Sequence, residues 1–406
     1  MGGGEFEDSV SVSTPIRPVE DAPPPRPRIL LRMDPLLFLA ALGLAACSLI
    51  TLKGATRTMD SGHPYYFVER QAIYFGIGLA VALVLSRIDY SRLREYKYGL
   101  YGLMVALNLV VLGMPKTQGA ARWIPLPFFQ LQSSELGKVL LIAAVSAFAV
   151  DRSRRLHEPL TTIRIILLAI LPALMVIPQP DLGTALVYVV AGFAILFFAG
   201  TSWKQLTVLA VFGVVGILMV LVVLPATGHH LLKPYQVQRL TTFLHQSHNC
   251  SNQSCYQLNQ SQTAIGSGGK TGLGVNGATQ VNLGYLPAPD TDFIFAVVGE
   301  TYGFVGAAVV LSLYALLIWR ALRILTMAKN LYGTLIAGGV LATLMFQVFV
   351  NAGMTIGIMP ITGVPLPLMS YGGSSVFVTF IALGLLQSIY IQARMTAASK
   401  SRGLVS

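Results

Sequence analysis

Charge is scarce in this 406-residue sequence: Asp, Glu, Lys and Arg make up 11% of it and only 17 residues are acidic, while 54% are hydrophobic. So little charge, set against apolar runs near the roughly 20 residues needed to cross about 30 Å of hydrocarbon, excludes an ordinary soluble domain and places the chain in lipid. Cysteine is equally sparse, with three in all. Cys47 falls inside an apolar run and reads as a small buried residue. Cys250 and Cys255 share one polar stretch, where a local disulfide is open. A structural metal site with His245 and His248 would take all its ligands from that single stretch, which argues against it.

The apolar runs predict an all-α polytopic membrane protein with ten spans, near 34–52, 67–86, 97–114, 135–150, 163–178, 182–199, 206–225, 293–318, 333–355 and 375–393. An even number returns both ends to one side. Most of the 28 basic residues then fall on that side, in the tails and between spans, among them Arg87, Arg92, Arg94, Lys97, Arg152, Arg154, Arg155, Arg164, Arg320 and Arg323. Because Lys and Arg accumulate in cytoplasmic loops, both termini are expected to be cytoplasmic. The net charge of +11 is thereby assigned to topology and acidic headgroups, with no case for nucleic acid. Residues 1–33 carry Pro23-Pro24-Pro25 and no apolar period, so a disordered cytoplasmic tail is expected, without a cleavable signal. A transmembrane domain over 34–395 and a short tail, 396–406, follow.

One long soluble loop, about 226–292, separates spans seven and eight. Unstructured loops of this length are usually lids or binding elements, and this one is expected to meet substrate. Its Ala264-Ile265-Gly266-Ser267-Gly268-Gly269-Lys270-Thr271 nearly spells a nucleotide-binding P-loop. The following Gly272, Gly274 and Gly277, and its place outside the cell, exclude that reading. What stays open is a cradle of backbone amides for a lipid-linked phosphate, or a flexible hinge.

The loop ends in Leu286-Pro287-Ala288-Pro289-Asp290-Thr291-Asp292-Phe293, where Asp292 stands at the threshold of an apolar run. A carboxylate there loses hydration unless a partner or substrate compensates, which makes it a functional candidate. Three other polar groups lie on the same side. In the first, Arg122-Trp123-Ile124 precedes Gln132-Ser133-Ser134-Glu135, with Lys138 one turn on. Ser134 would cap the fourth helix, and Glu135 with Lys138 is either a structural ion pair or part of a phosphate site with Arg122. Trp123 by itself would be an interfacial anchor. The second is Gln179-Pro180-Asp181-Leu182-Gly183-Thr184, where Asp181 either caps the sixth helix or faces substrate. The third runs from Gly353 to Ser375, and its prolines forbid a regular helix. Such a segment enters the membrane only where protein or a cavity surrounds it.

These motifs, with Thr291-Asp292-Phe293-Ile294-Phe295 and Pro365-Leu366-Pro367-Leu368-Met369-Ser370-Tyr371-Gly372-Gly373-Ser374-Ser375, resemble in order and type the family of shape, elongation, division and sporulation proteins. The third group is most similar to its rod-shape elongation branch. The resemblance covers about residues 34–395. It implies a peptidoglycan glycosyltransferase that polymerises lipid II on the outer face of the bacterial inner membrane. A class B penicillin-binding protein would crosslink the strands, within the elongation machinery. The family's essential acid falls on Asp292, its motif tryptophan on Trp123, its Glu and Lys on Glu135 and Lys138, and its Gln-Pro-Asp acid on Asp181. Ser370 and Tyr371 join the expected substrate-binding set. Ser133, Ala288 and Thr301 depart from the usual residues around these motifs.

Chemistry adds that Asp292 would act as base toward a sugar hydroxyl, while Arg122, Lys138, Lys233, Arg239 and Lys270 are available for a departing pyrophosphate. No ligand cluster establishes a cofactor, although a divalent cation, Mg or Mn, could share that task. A lipid II transporter would also need ten spans, but charges are few at the span centres and gather at the outer rim. A noncatalytic scaffold would need neither Asp292 nor the cations.

Overall fold

The computed structural model describes residues 33–57, 63, 65–114, 122–125, 130–219, 234–242 and 253–403. The N-terminal tail, Lys233, Cys250, His245 and His248 lie outside them. The expected spans correspond to α1 (Pro35–Ala55), α2 (Tyr66–Leu85), α3 (Lys97–Leu112), α4 (Ser133–Asp151), α5 (Pro159–Val176), α6 (Leu182–Phe198) and α7 (Trp203–Leu218), then to α12 (Ile294–Met327), α13 (Leu331–Ile356) and α14 (Gly373–Gly403). Seven are long and apolar enough to cross a membrane, and α3, α6 and α7 are shorter apolar helices. The protein is therefore a multi-pass membrane protein, with α4, α13 and α14 its most enclosed helices.

Local chemistry sets the helix ends. Asp34 caps α1 by accepting the amides of Leu36 and Leu37, and Pro35 occupies the first turn, where its missing N–H is not needed. Asn330 caps α13 through the Gly333 amide, and Gly357 ends it in a left-handed conformation. At the Asn330 end of the bundle the Asp34 carboxylate accepts two bonds from Arg320 of α12, at 2.8 and 2.5 Å. Gln387 of α14 bonds both the N–H and the C=O of Asp34. Arg320, expected to be one of the loop cations, is thus a buried strut joining three helices. Arg94 and Lys97 similarly share Asp151.

The loop 226–292 is not the unstructured segment its composition suggests. Among its described residues are α8 (Pro234–Thr241), α9 (Gln253–Gly268), α10 (Gly274–Gly277) and α11 (Thr279–Asn282). The glycine-rich 264–271 segment is not a free hinge, because its residues up to Gly268 belong to α9 and the turn that follows is bonded to the chain around it. Gly272 N–H donates to Gly268 and Leu273 N–H to Glu300, while the carbonyls of Gly269 and Lys270 accept from Phe304 and Val305. These bonds dock the segment onto a kink in α12, where Gly303 adopts φ 63°, ψ −159°. The predicted eighth span shows no sign of that kink. A Cβ on Gly303 would lie 2.3 Å from the Gly272 nitrogen. We expect Gly303→Ala to destabilise the protein by about 1–3 kcal/mol, since that backbone region is essentially reserved for glycine. Thermal unfolding in detergent should show it as a lowered midpoint, and an unchanged midpoint would contradict the docking role.

Cys255 is disulfide-bonded, which settles that part of the loop in favour of the disulfide. Cys47 is free and only partly buried, a departure from its expected core position. Residues 396–403, expected to form a tail, continue α14.

Candidate active site

The polar motifs converge at the end of the bundle opposite the Asp34–Arg320 pair. Ahead of α12, residues 288–293 coil into a turn in which Thr291 and Phe293 both donate to the Ala288 carbonyl. The segment between α13 and α14, together with Asn351 of α13, then captures three successive carbonyls of that turn. Tyr371 N–H donates to Asp290 O at 2.8 Å, Ser370 Oγ to Thr291 O at 2.6 Å, and Asn351 Nδ2 to Asp292 O at 3.0 Å. Asn351 also donates to Val364 O at 2.8 Å, and Ser370 Oγ accepts the Leu366 amide. The proline-rich segment expected to need protein around it has it: residues 361–370 are mostly buried. Its Met369 and Pro367 carbonyls accept from Ser48 of α1 and Tyr314 of α12. These bonds hold the backbone that carries Asp292 in place.

Its carboxylate is only partly buried and reaches toward α8. A Cβ built on Gly363, itself at φ 71°, would stand 3.4 Å from Asp292 Oδ2 and 3.7 Å from Arg239 Nη1. Glycine therefore keeps the space between carboxylate and guanidinium open. Burial raises the Asp292 pKa, the guanidinium groups of Arg239 and Arg122 pull it back, and the carboxylates of Asp290 and Asp181 push it up, for a net rise. Asp290 is raised as well, chiefly by burial.

Arg122 is oriented by backbone: its Nε donates to Gln179 O at 2.8 Å and its Nη2 to Pro180 O. A two-stranded ribbon carries it in. β1 (Trp123–Pro125) pairs antiparallel with β2 (Gln130–Gln132), with Trp123 opposite Gln132. Ser374, at the start of α14, pins β2 by accepting Gln132 N–H and donating to Gln130 O.

Asp181 does cap α6, with Oδ1 accepting Thr184 N–H, while Oδ2 accepts from Ser134 Oγ and Gln132 Nε2 at 2.8 Å each. Ser134 consequently does not cap α4, as its position suggested. Its hydroxyl is spent on Asp181, and no side chain caps that helix. Glu135 and Lys138 form an ion pair of 2.6 Å, both nearly fully buried. The second Glu135 oxygen, Oε1, is buried and has no partner among the described residues.

The structure thus gathers Asp292, Arg239, Arg122 and Asp181 within electrostatic reach of one another, with Ser370 serving the turn's backbone. Tyr371 packs its ring on Phe67 and Tyr74, at 5.1 and 6.5 Å. Lys270 is exposed beside the Gly303 kink, away from the turn's hydrogen bonds. Asn351, Asp290 and Gly363 were missed in the sequence. Asn351 is polar within the last turns of an apolar span, and that was the available signal.

The chain matches the FtsW/RodA/SpoVE family, described as a cell cycle protein, over residues 32–395. It is 34% identical over 370 residues to the peptidoglycan glycosyltransferase MrdB of Escherichia coli K12, spanning 91% of this chain and 96% of that one. It superposes on a chain of a peptidoglycan synthase complex, solved in work on the structural coordination of polymerization and crosslinking, with a TM-score of 0.72 and 29% identity. That match covers 89% of this chain and 98% of the other. The crystal structure of the rod shape determining protein RodA of Thermus thermophilus matches with a TM-score of 0.62 and 27% identity over 88% and 96% of the two chains. With nearly the whole length matched in sequence and in fold, the chain belongs to the family of shape, elongation, division and sporulation proteins.

Proposed function

We propose that this protein polymerises lipid II into peptidoglycan strands for cell elongation, with Asp292 as the general base. The observation that carries the reading is a carboxylate whose backbone is clamped by three captured carbonyls and whose charge faces Arg239 and Arg122. Asp292 takes the proton of the acceptor GlcNAc 4-hydroxyl as that oxygen attacks the anomeric carbon of the lipid-linked MurNAc. The new C–O bond forms as the bond to pyrophosphate breaks, the pyrophosphate leaves with the electron pair, and the α-linkage inverts to β-1,4. Arg122 and Arg239 offset the charge that develops on the departing pyrophosphate. Lys138, Lys233 and Lys270 complete the proposed cation set, and Trp123, Glu135, Asp181, Ser370 and Tyr371 the proposed substrate-binding wall.

Among the described residues no three His, Cys, Asp or Glu side chains come together to hold a divalent cation. Both Asp181 oxygens are taken by protein donors. No step is therefore routed through a metal.

On this reading the Asp292 end lies at the outer face of the inner membrane, which the basic residues Arg87, Arg92, Arg152, Arg154, Arg155 and Arg323 beside spans at the other end support. Crosslinking falls to a class B penicillin-binding protein, which would make the same kind of synthase complex as that of the structural relative. Purified lipid II, supplied in detergent to the protein with such a partner, should yield glycan polymer. No polymer with lipid II translocation across vesicles would overturn the reading in favour of transport, and neither activity would favour a scaffold.

A further inference from the structure

The end of the bundle farthest from Asp292 carries a second cleft, remote from the proposed chemistry. A cavity of about 600 Å³ lies between α3 and α5 with α4 behind it, lined by Tyr98, Tyr101, Phe148, Arg152, Arg164 and a run of α5 side chains from Ile165 to Leu174. From Arg164 to Leu174 the α5 wall is about 15 Å long, at 1.5 Å per residue. Its lining combines two arginines, Arg152 and Arg164, with the aromatic rings of Tyr98, Tyr101 and Phe148, and past Arg164 the α5 side is hydrocarbon: Leu167, Leu168, Ile170, Leu171 and Leu174.

Two features set this cleft apart from ordinary lipid-facing surface. The first is the state of its cations. Arg94 and Lys97 nearby are consumed by Asp151, and Arg320 by Asp34. Arg152 and Arg164 have no carboxylate partner among the described residues, although both line one cavity. The second is Tyr101, whose hydroxyl is buried and bonds to nothing among the described residues. A buried donor without an acceptor costs free energy unless a ligand supplies one.

We propose that this cleft is a specific site for an anionic glycerophospholipid, with its phosphate between Arg152 and Arg164, an ester carbonyl accepting from Tyr101 Oη, and an acyl chain along α5. The groups match in kind: two cations without a carboxylate partner, a lone buried hydrogen-bond donor, and hydrocarbon along α5. A transmembrane helix of a partner would fill the apolar part but offers no anion at the arginines and no free acceptor at the phenol, since its carbonyls are bonded internally. That the lipid belongs to the cytoplasmic leaflet rests on the orientation proposed above. Binding in detergent does not depend on it.

The test is native mass spectrometry of the delipidated full-length protein titrated with phosphatidylglycerol or phosphatidylcholine of the same chains, with soluble glycerol phosphate as a third probe. Phosphatidylglycerol should be retained preferentially and glycerol phosphate not at all. Each arginine near a membrane surface contributes about fivefold in affinity, so Arg152→Gln with Arg164→Gln should weaken retention about 25-fold toward the phosphatidylcholine level. Tyr101→Phe, which removes only the donor, should weaken retention of both lipids while leaving the preference intact. Equal retention of the two lipids by the parent, or unchanged selectivity in the double variant, would overturn the site. Copurification of a stoichiometric protein in place of lipid, displaced by the double variant, would assign the cleft to a partner helix instead. A shared thermal midpoint for parent and variants guards against loss through misfolding.

Discussion

Replacing Asp292 with Asn is expected to cut glycan polymerisation by about 100- to 10,000-fold, the range attributed to a positioned general base, while the protein folds normally. Asn keeps the size of the side chain, and the contacts that fix the turn all run to main-chain carbonyls, which the substitution leaves in place. The loss would therefore report charge and basicity rather than a collapsed loop. Asp292→Glu restores the charge but pushes it a methylene further into the space that Gly363 leaves open. A displacement of about 1 Å can cost 100-fold, so Glu should rescue poorly. Polymer made by the Asn variant at the parent's rate, with equal thermal midpoints, would remove Asp292 from the chemistry.

The pH profile supplies an independent reading of the same residue. A base works when deprotonated, so kcat/KM should fall as pH drops through the Asp292 pKa. Burial holds that pKa above the ordinary carboxylate value, and the acid limb should accordingly appear at a higher pH than a solvated aspartate would give. Arg239 acts in the opposite direction by favouring the charged form. Arg239→Gln should thus move the acid limb further up in addition to weakening turnover. A guanidinium that only bound pyrophosphate would lower the rate and leave the limb where it was.

How far the sequence discloses this arrangement depends on the range of the interactions. The spans and Asp292's place at a membrane threshold rest on local composition, and both were legible. Asp181 offered capping ahead of substrate contact in sequence, and the structure shows the cap together with a second bond set from Ser134 and Gln132, 47 and 49 residues away. The polar, glycine-rich loop hid helices α8 to α11 because α9 and the segment after it are held by close backbone docking at Gly303, a contact that leaves no apolar period to read. Asn351 was passed over for a related reason. Its partners, the carbonyls of Asp292 and Val364, are backbone groups whose position only the folded chain defines. Likewise nothing in the spacing distinguishes Arg320, a buried strut, from Arg323 three residues later.

The Glu135–Lys138 pair is where stability and function should separate most sharply. Both side chains are nearly fully buried at 2.6 Å, so removing one partner strands a charge in low dielectric, at a cost of about 3–5 kcal/mol. Glu135→Gln and Lys138→Met are each expected to lower the thermal midpoint strongly or abolish purification of folded protein. The double variant removes both charges and should recover most of that loss, because a buried pair replaced by neutral groups of similar volume is often close to neutral. Unfolding midpoints of the four proteins in one detergent form the cycle that measures the coupling. Activity then assigns the role. Glu135 Oε1 has no donor among the described residues despite its burial, which is the condition expected of a carboxylate that awaits a group from substrate or an ordered water. The double variant should accordingly be stable and slow. If it polymerises lipid II as well as the parent does, the pair is a strut of α4 like Arg320 and Asp34 at the opposite end, and the substrate-binding wall loses two of its members.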